Sequence, residues 1–350
     1  MVTKINPKSL KILFGIAIFT MANMLISCTK NQHVKDLSTI DLNIKSTRFE
    51  QQLFSCKSAT DILELSRTNP SFYEVFTNYL VAANVQFPGA TDQDIAVELY
   101  KYISHQDMDS LYGITQTTFS TIDTYGDELA EACKYILYYF PEDTINQLTS
   151  FISTFHYGAV YNPTQNEFAV GLDMYLGRDF EVYTLLNPEK FPMYRIKKFE
   201  PYRIVPNCIQ TYVDHKVPTF NSSTFIEQAV YEGKKLYLLD LLLPTYHDSL
   251  KINYLSGQIE WCKTHEKNIW SFLVEEEELF NSDKNTYQKR YFNDGPFTAP
   301  FGNESSPRTG AWLGWQIVRK YMLNHPQVNI EQLLSNERHL EIFQESGYRP

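Results

Sequence analysis

Apolar residues recur every three or four positions along much of this chain, and that spacing marks one buried face of an α-helix. The pattern predicts helices between about Arg48 and Phe140, with Asp92 as one N-cap and Pro141 as the stop. A further helix is expected over Glu142–Thr154. Helical patterns then resume in four longer segments and one short last helix: Pro201–His215, Ser223–Leu243, Ser256–Phe280, Thr309–Asn324 and Ile330–Leu334.

Two short segments near the middle of the chain have a different pattern, rich in aromatic and branched residues. They are Phe155–Tyr161 and Glu167–Tyr175, separated by the turn formers Asn162-Pro163 and Gln165-Asn166. This arrangement predicts a hairpin or two neighbouring strands. Aromatic residues make up 15 % of the chain, which is enough apolar material for a large core. The expected fold class is therefore mainly α with a small central β-sheet, an α+β fold.

The start of the chain has the layout of an export signal that ends in a lipid attachment site. Three lysines precede the uncharged apolar segment Ile12–Ile26, and Ser27 lies just ahead of Cys28. The tetrad Leu25–Cys28 is similar to the bacterial lipobox, in which the cysteine thiol takes a diacylglycerol and the chain is cut before it. An ordinary signal with a chance cysteine is one alternative. An uncleaved anchor is the other, although a membrane-spanning helix needs about 20 apolar residues.

Cleavage before Cys28 would divide the chain into three parts. Residues 1–27 are the expected signal peptide, 28–45 a lipidated cysteine with a flexible tether, and 46–350 a single mainly helical domain. Loss of three lysines changes the formal charge from −10 to −13 (−10 − 3). So acidic a protein repels the phosphates of nucleic acid and the surface of anionic lipid. Membrane attachment is therefore expected through the lipid on Cys28, and nucleic acid is not an expected partner.

The four cysteines after Cys28 allow two interpretations. Cys56, Cys133, Cys208 and Cys262 are an even number in an exported chain, which permits two disulfides in three pairings. Their wide spacings equally fit four buried thiols. No Cys-x-x-Cys pair occurs, so a structural zinc site is not expected.

Two carboxylates are candidates for a functional pocket. Asp173 stands between a strand and Gly177, either as a ligand or base or as the residue that forms the turn. Glu232 follows the segment Val205–Val213 at the distance of a third zinc ligand after a His-Glu-x-x-His helix. That segment contains no histidine pair, and His215 is the only imidazole nearby. No metal and no other cofactor is therefore expected.

The segment that begins at Arg308 offers a third candidate. Gly310 and Gly314 recur at helical spacing beside Trp312 and Trp315, which favours close packing against another helix. The alternative is a pocket wall with Arg308 as an anion clamp.

The run Glu275–Glu278 also has two interpretations. It could bind a divalent cation, but consecutive side chains on a helix point in different directions around its axis. A solvated helix face is the expected structure.

Four segments together carry a family resemblance. They are Ala169–Gly177, Gly233–Asp240 with Leu243-Pro244, Glu260–Cys262 with Glu266 and Ile269-Trp270, and Ser306–Val318. In this order, behind the lipobox, they resemble the gliding motility-associated lipoprotein GldB family of the Bacteroidota. The resemblance covers most of the chain after Cys28. Its most specific parts are the first segment and the Trp-Leu-Gly-Trp-Gln-Ile-Val portion of the last.

The resemblance implies an acylated, palmitate-type cell-envelope lipoprotein tied to gliding and to the secretion machinery that gliding uses. It implies no established enzymatic activity. The family is also distantly similar to predicted zinc proteases, whose metal-ligating histidines this chain lacks, so the implied body is degenerate and zincin-like, a pseudo-metalloprotease. Lipoproteins exported to the surface tend to carry an acidic cluster after the cysteine, and its lack here implies the periplasmic side. The alternative is a hydrolase of envelope peptides or glycans, with a pocket around Asp173, Glu232 and Arg308.

Overall fold

The computed structural model describes residues 33–81, 86 and 88–350. Leu37–Pro350 forms one compact unit, in which Leu37 and Ile44 are already buried. The predicted lipidation site, Cys28, lies outside the described residues. Within the described part of the chain, no helix has the length and apolar character needed to cross a membrane.

A four-stranded mixed sheet lies within this unit, in the order β1-β2-β4-β3. Its strands are β1 (Lys45–Arg48), β2 (Gln147–Phe151), β3 (Ala159–Asn162) and β4 (Glu167–Gly171). Strand β2 pairs in parallel with both β1 and β4, whereas β3 pairs with β4 in antiparallel orientation. The predicted hairpin is confirmed as β3 and β4. Strands β1 and β2 were not predicted.

The predicted helix over Glu142–Thr154 is wrong, because β2 occupies the middle of that segment. This strand is central in the sheet and has polar residues on both faces. The Thr149 hydroxyl lies 3.5 Å from a carboxylate oxygen of Glu167, and the Ser150 hydroxyl donates a hydrogen bond to the Glu50 carboxylate (2.6 Å). These buried polar partners replace the apolar alternation by which a strand is normally recognised in sequence.

Six helices lie in the described part of the chain before β2. They are α1 (Phe49–Ser55), α2 (Ala59–Thr68), α3 (Pro70–Val75), α4 (Asp92–Ile103), α5 (Gln106–Thr118) and α6 (Asp123–Tyr139). A π-helical turn, Phe76–Leu80, continues α3. The N-cap of α4 is Thr91, not Asp92, because Thr91 and Asp94 form a reciprocal capping box.

Ten further helices follow the sheet, and the predicted long ones are confirmed. They are α7 (Val182–Leu185), α8 (Met193–Ile196), α9 (Ile204–Lys216), α10 (Phe225–Leu242), α11 (Asp248–Lys251), α12 (Gln258–Glu275), α13 (Lys284–Tyr287), α14 (Thr309–Asn324), α15 (Ile330–Ser335) and α16 (His339–Ser346). Short 3-10 turns occur at Leu172–Met174, Pro201–Arg203, Glu278–Phe280 and Ala299–Phe301, and a π turn at Gln288–Phe292. The four-residue helices α7, α8, α11 and α13 were not predicted, and neither was α16, which follows the helix expected to be the last.

The sheet separates two apolar clusters. On one face, Phe151 and Ala169 pack with the aromatic side chains of α1 and α3, where the rings of Phe49 and Phe72 lie 4.9 Å apart. On the other face, Phe168 joins the main core, which α6, α9, α10 and α14 share. The fold class expected from the sequence is thus confirmed.

Helices α10 and α14 pack closely through small residues. A Cβ atom added to Gly314 would lie 1.7 Å from the carbonyl oxygen of Ala229, and one added to Gly233 would lie 2.2 Å from that of Gly314. Trp312 and Trp315 are buried in the same helix. The packing role predicted for this segment is therefore confirmed.

The four described cysteines are free thiols. Cys133, Cys208 and Cys262 are buried, and burial raises the pKa of the Cys262 thiol to about 11 and that of Cys208 to about 12. Such thiols are poor nucleophiles, since the thiolate is the reactive form. They act as small apolar core residues.

Candidate functional site

A cavity of about 260 Å³ lies between one end of the sheet and helix α9, and we call it the Tyr175 cavity. Three parts of the chain contribute most of its wall: the start of β3, the turn after β4, and α9. Its lining consists of Gly158, Ala159, Met174, Tyr175, Arg195, Lys198, Phe199, Asn207, Gln210, Thr211, Asn253 and Asp294.

Asp173 forms the turn that leads into this cavity. Its carboxylate accepts hydrogen bonds from the backbone N–H groups of Ser153 (3.0 Å) and Phe155 (2.5 Å), and Tyr183 donates to its backbone carbonyl. The side chain is fully buried. Burial raises the pKa of Asp173 to about 6, against the lowering effect of those hydrogen bonds. Asp173 lies in the turn Leu172–Met174 that ends β4, and Gly177 has a positive φ of 95°, as the turn interpretation predicted. Its carboxylate also holds the β2–β3 loop in place, which was not predicted. Met174 and Tyr175 after it line the cavity.

Helix α9 supplies one polar face of the cavity. Asn207 and Thr211 lie four residues apart on it and therefore point the same way. The Asn207 side-chain amide donates to the Tyr175 hydroxyl (3.0 Å), and the Thr211 hydroxyl donates back to the Cys208 carbonyl (2.7 Å). Among the described residues, no group of three or more His, Cys, Asp and Glu side chains is placed to hold a metal ion.

Glu232 and Arg308, the other two candidates, lie together. The Arg308 Nη2 atom is 3.6 Å from the Glu232 carboxylate, and its Nη1 donates to the Ile252 carbonyl (3.2 Å). Glu232 also accepts a hydrogen bond from Gln228 (3.1 Å). Arg308 has a positive φ of 52° at the N-cap of α14. Of the predicted three-residue pocket, two members are therefore in contact, and the third, Asp173, is bound to the loop described above.

Two buried cations near the cavity were not singled out from the sequence. Lys198 donates to both oxygens of Asp294 (2.9 and 3.1 Å). Arg203 donates to the side-chain oxygen of Asn253 (2.8 Å) and to the backbone carbonyl of Tyr254 (2.7 Å). These residues come from three separate segments, and only the fold brings them together.

The glutamate run at the end of α12 is only partly a solvated face. Glu275, Glu276 and Glu277 are exposed, as predicted. Glu278 is buried and accepts hydrogen bonds from Arg290, Tyr291 and Asn281 (3.1, 3.2 and 2.6 Å). The prediction fails there because the helix has ended, and Glu277 has a positive φ of 55° that turns the next side chain inward.

Comparisons with known proteins identify a family. A search of curated proteins gave no match, and a search of solved structures gave none either. A family model described as gliding motility protein GldB matches residues 30–350, and its short name, GldB_lipo, designates lipoproteins. Because this match covers far more than half of the sequence, the chain belongs to the gliding motility protein GldB family.

Proposed function

We propose that this protein is a cell-envelope lipoprotein that supports gliding motility, or the secretion machinery linked to it, by binding and without catalysis. The family match over residues 30–350 carries the proposal. The lipobox around Cys28 and the lipoprotein designation of the family support attachment to a membrane through acyl chains on that residue.

The donor set of the Tyr175 cavity supports a role in binding. A zinc hydrolase needs three protein ligands that converge on the metal, and a base beside them. The three α9 residues that line the cavity, Asn207, Gln210 and Thr211, carry two amides and a hydroxyl. Glu232 is engaged by Arg308 and Gln228. The family's distant resemblance to predicted zinc proteases, whose metal-ligating histidines this chain lacks, is the basis on which we propose a degenerate zincin-like body.

One observation favours the second candidate, an envelope hydrolase. Burial raises the pKa of Asp173 to about 6, and a carboxyl group in that range can act as a general acid or base. The carboxylate accepts two hydrogen bonds from backbone N–H groups, however, and these give it a structural role in holding the β2–β3 loop. The non-catalytic role is therefore preferred.

Complementation tests the proposal. Cells that lack their own copy receive the wild type, Cys28→Ala or Glu232→Gln, and gliding or secretion is scored beside membrane fractionation. We expect Cys28→Ala to leave the membrane fraction, or to stay uncleaved, and to fail. Glu232→Gln should restore function as well as the exposed-site control Glu64→Gln does.

Two results would contradict the proposal. If Cys28→Ala gave normal acylated, membrane-bound protein, Cys28 would not be the site of lipid attachment. Loss of function in a folded Glu232→Gln protein, or about one zinc ion per chain after dialysis, would favour the hydrolase over the non-catalytic role.

A further inference from the structure

Positive charge is concentrated around the Tyr175 cavity, although the chain as a whole has a formal charge of −10. Arg195 and Lys198 line the cavity. Arg203 and Arg308 both lie close enough to Lys198 to lower its pKa. The carboxylates in contact with this group are Asp294, bound to Lys198, and Glu232, bound to Arg308. Two cations and one carboxylate therefore line the cavity. Two further guanidinium groups lie beside it: Arg203, bound to the lining residue Asn253, and Arg308, paired with Glu232.

Arg203 is the clearest source of the excess charge. It is 3 % exposed, and its guanidinium donates to two neutral acceptors, Asn253 and the Tyr254 carbonyl. Among the described residues, its Nε atom has no hydrogen-bond partner. A buried guanidinium with neutral partners attracts nearby anions strongly, because protein interiors screen charge less than water does.

Lys198 lies within reach of these charges. Burial is the largest effect and lowers the pKa of its ammonium, the carboxylate of Asp294 raises it, and the positive charges of Arg308 and Arg203 lower it by smaller amounts. The net shift is downward, chiefly because the group is buried. Asp294 is its bonded counter-ion, and the two guanidinium groups act against that pairing.

The cavity also offers hydrogen-bonding groups and a definite size. Asn207, Gln210, Thr211 and Tyr175 line it together with the cations. Pockets for drug-sized ligands have volumes of about 300–1,000 Å³, so about 260 Å³ suits a small acid or one end of a longer chain. Cationic side chains bind carboxylate and phosphate through short, charge-assisted hydrogen bonds.

We propose that the Tyr175 cavity binds an anionic oxyacid group, a carboxylate or a phosphate, that a small molecule or the end of a peptide carries. This inference goes beyond the proposed function and does not depend on it. The lining cations Arg195 and Lys198 provide the contacts, and Arg203 and Arg308 provide the field behind them.

Calorimetric titration of the detergent-solubilised full chain tests the proposal at low salt. The probes are succinate, inorganic phosphate, an N-acetylated tripeptide with a free carboxyl end, and the same tripeptide amidated. We expect saturable binding of at least one acid near one per chain, and at least about tenfold weaker binding of the amide. The acid that binds distinguishes a small carboxylate, a phosphate and a peptide end as the source.

Three variants separate this cavity from general charge effects, with melting curves to confirm folding. Arg195→Gln removes an exposed lining charge and should weaken acid binding about tenfold. Asp294→Asn removes a competing anion and should tighten it severalfold. Arg67→Gln, at an exposed position of α2 that does not line the cavity, should leave it unchanged. Absence of saturable binding, an equal effect of Arg67→Gln, or loss of binding in folded Asp294→Asn protein would overturn the proposal.

Discussion

At the scale of single residues, Gly314 makes the sharpest prediction. Its missing side chain allows the backbone of α14 to contact the Ala229 carbonyl of α10, and an added Cβ would lie 1.7 Å from that oxygen. Gly314→Ala should therefore lower the free energy of unfolding by about 1–3 kcal/mol. Urea denaturation of the purified chain measures the change.

Gly113 is the matched control for Gly314. It also lies within a helix, α5, but a Cβ atom there meets nothing within 4 Å. Gly113→Ala should raise the free energy of unfolding by about 0.4–1 kcal/mol, because it restricts only the unfolded chain. Equal effects of the two substitutions would show that helix propensity decides both, and that the α10–α14 contact can relax.

His339 predicts how stability depends on pH. Burial and the nearby Lys234 ammonium lower its pKa from 6.5 to about 3. Between those values the unfolded chain binds a proton and the folded chain does not, so this residue makes stability fall as pH decreases. His339→Leu should therefore lose less of its melting temperature than the wild type between pH 7 and pH 4. An equal loss of melting temperature in the two proteins between pH 7 and pH 4 would contradict a buried neutral imidazole at this position.

At the scale of elements, the sequence predicted the long helices because each has an apolar face at helical spacing. It failed where partners distant in sequence decide the structure. Strand β2 contains Thr149 and Ser150, whose hydroxyl groups are satisfied by Glu167 and Glu50 from other elements. Helix α16 was missed because it is short and begins at His339, a polar residue that the fold buries. Periodicity reports which face is buried, and it cannot report the buried polar contacts.

Asp240 connects three helices and gives a prediction at this scale. Its carboxylate accepts two hydrogen bonds from Arg319 of α14 (2.7 Å each), one from Trp315 (2.8 Å) and one from Lys251 of α11 (2.9 Å). Asp240→Asn leaves buried cations without this anion, which should cost about 3–5 kcal/mol. Asp248→Asn, at the more exposed edge of the same network, should cost about 1 kcal/mol or less. Chemical denaturation should show this order, and the reverse order would mean that Asp248 carries the network.

At the scale of the whole molecule, the candidate site was only partly predictable. Asp173, Glu232 and Arg308 were predicted from the sequence segments that contain them, and the fold brings the last two into contact. The cations Lys198 and Arg203 lie in an unremarkable segment before α9, and their partners Asp294 and Asn253 come from distant loops. An excess of positive charge in one cavity of an acidic chain is a property of the fold, so composition conceals it.

The position of the body in the envelope gives the last prediction. Under the proposed lipid anchor, the tether is shorter than the expected 28–45 and is limited to residues 28–36, because the compact unit begins at Leu37. Nine residues (28 to 36) span at most about 30 Å when fully extended. The proposed tether would thus keep the acidic body near the membrane that holds its lipid, and the lack of an acidic cluster after Cys28 is the basis for proposing the periplasmic side.

Protease added to cells tests this position. Intact cells should keep the protein whole, and cells with an opened outer membrane should lose it. A surface-exposed control lipoprotein must be cut in both samples and a soluble periplasmic protein only in the second. Digestion in intact cells would place the body outside, because a tether of about 30 Å cannot carry it across the outer membrane, whose hydrocarbon core alone is about 30 Å thick. In that case the anionic ligand of the Tyr175 cavity would come from the medium, and a role in adhesion or nutrient capture would replace the role in envelope machinery.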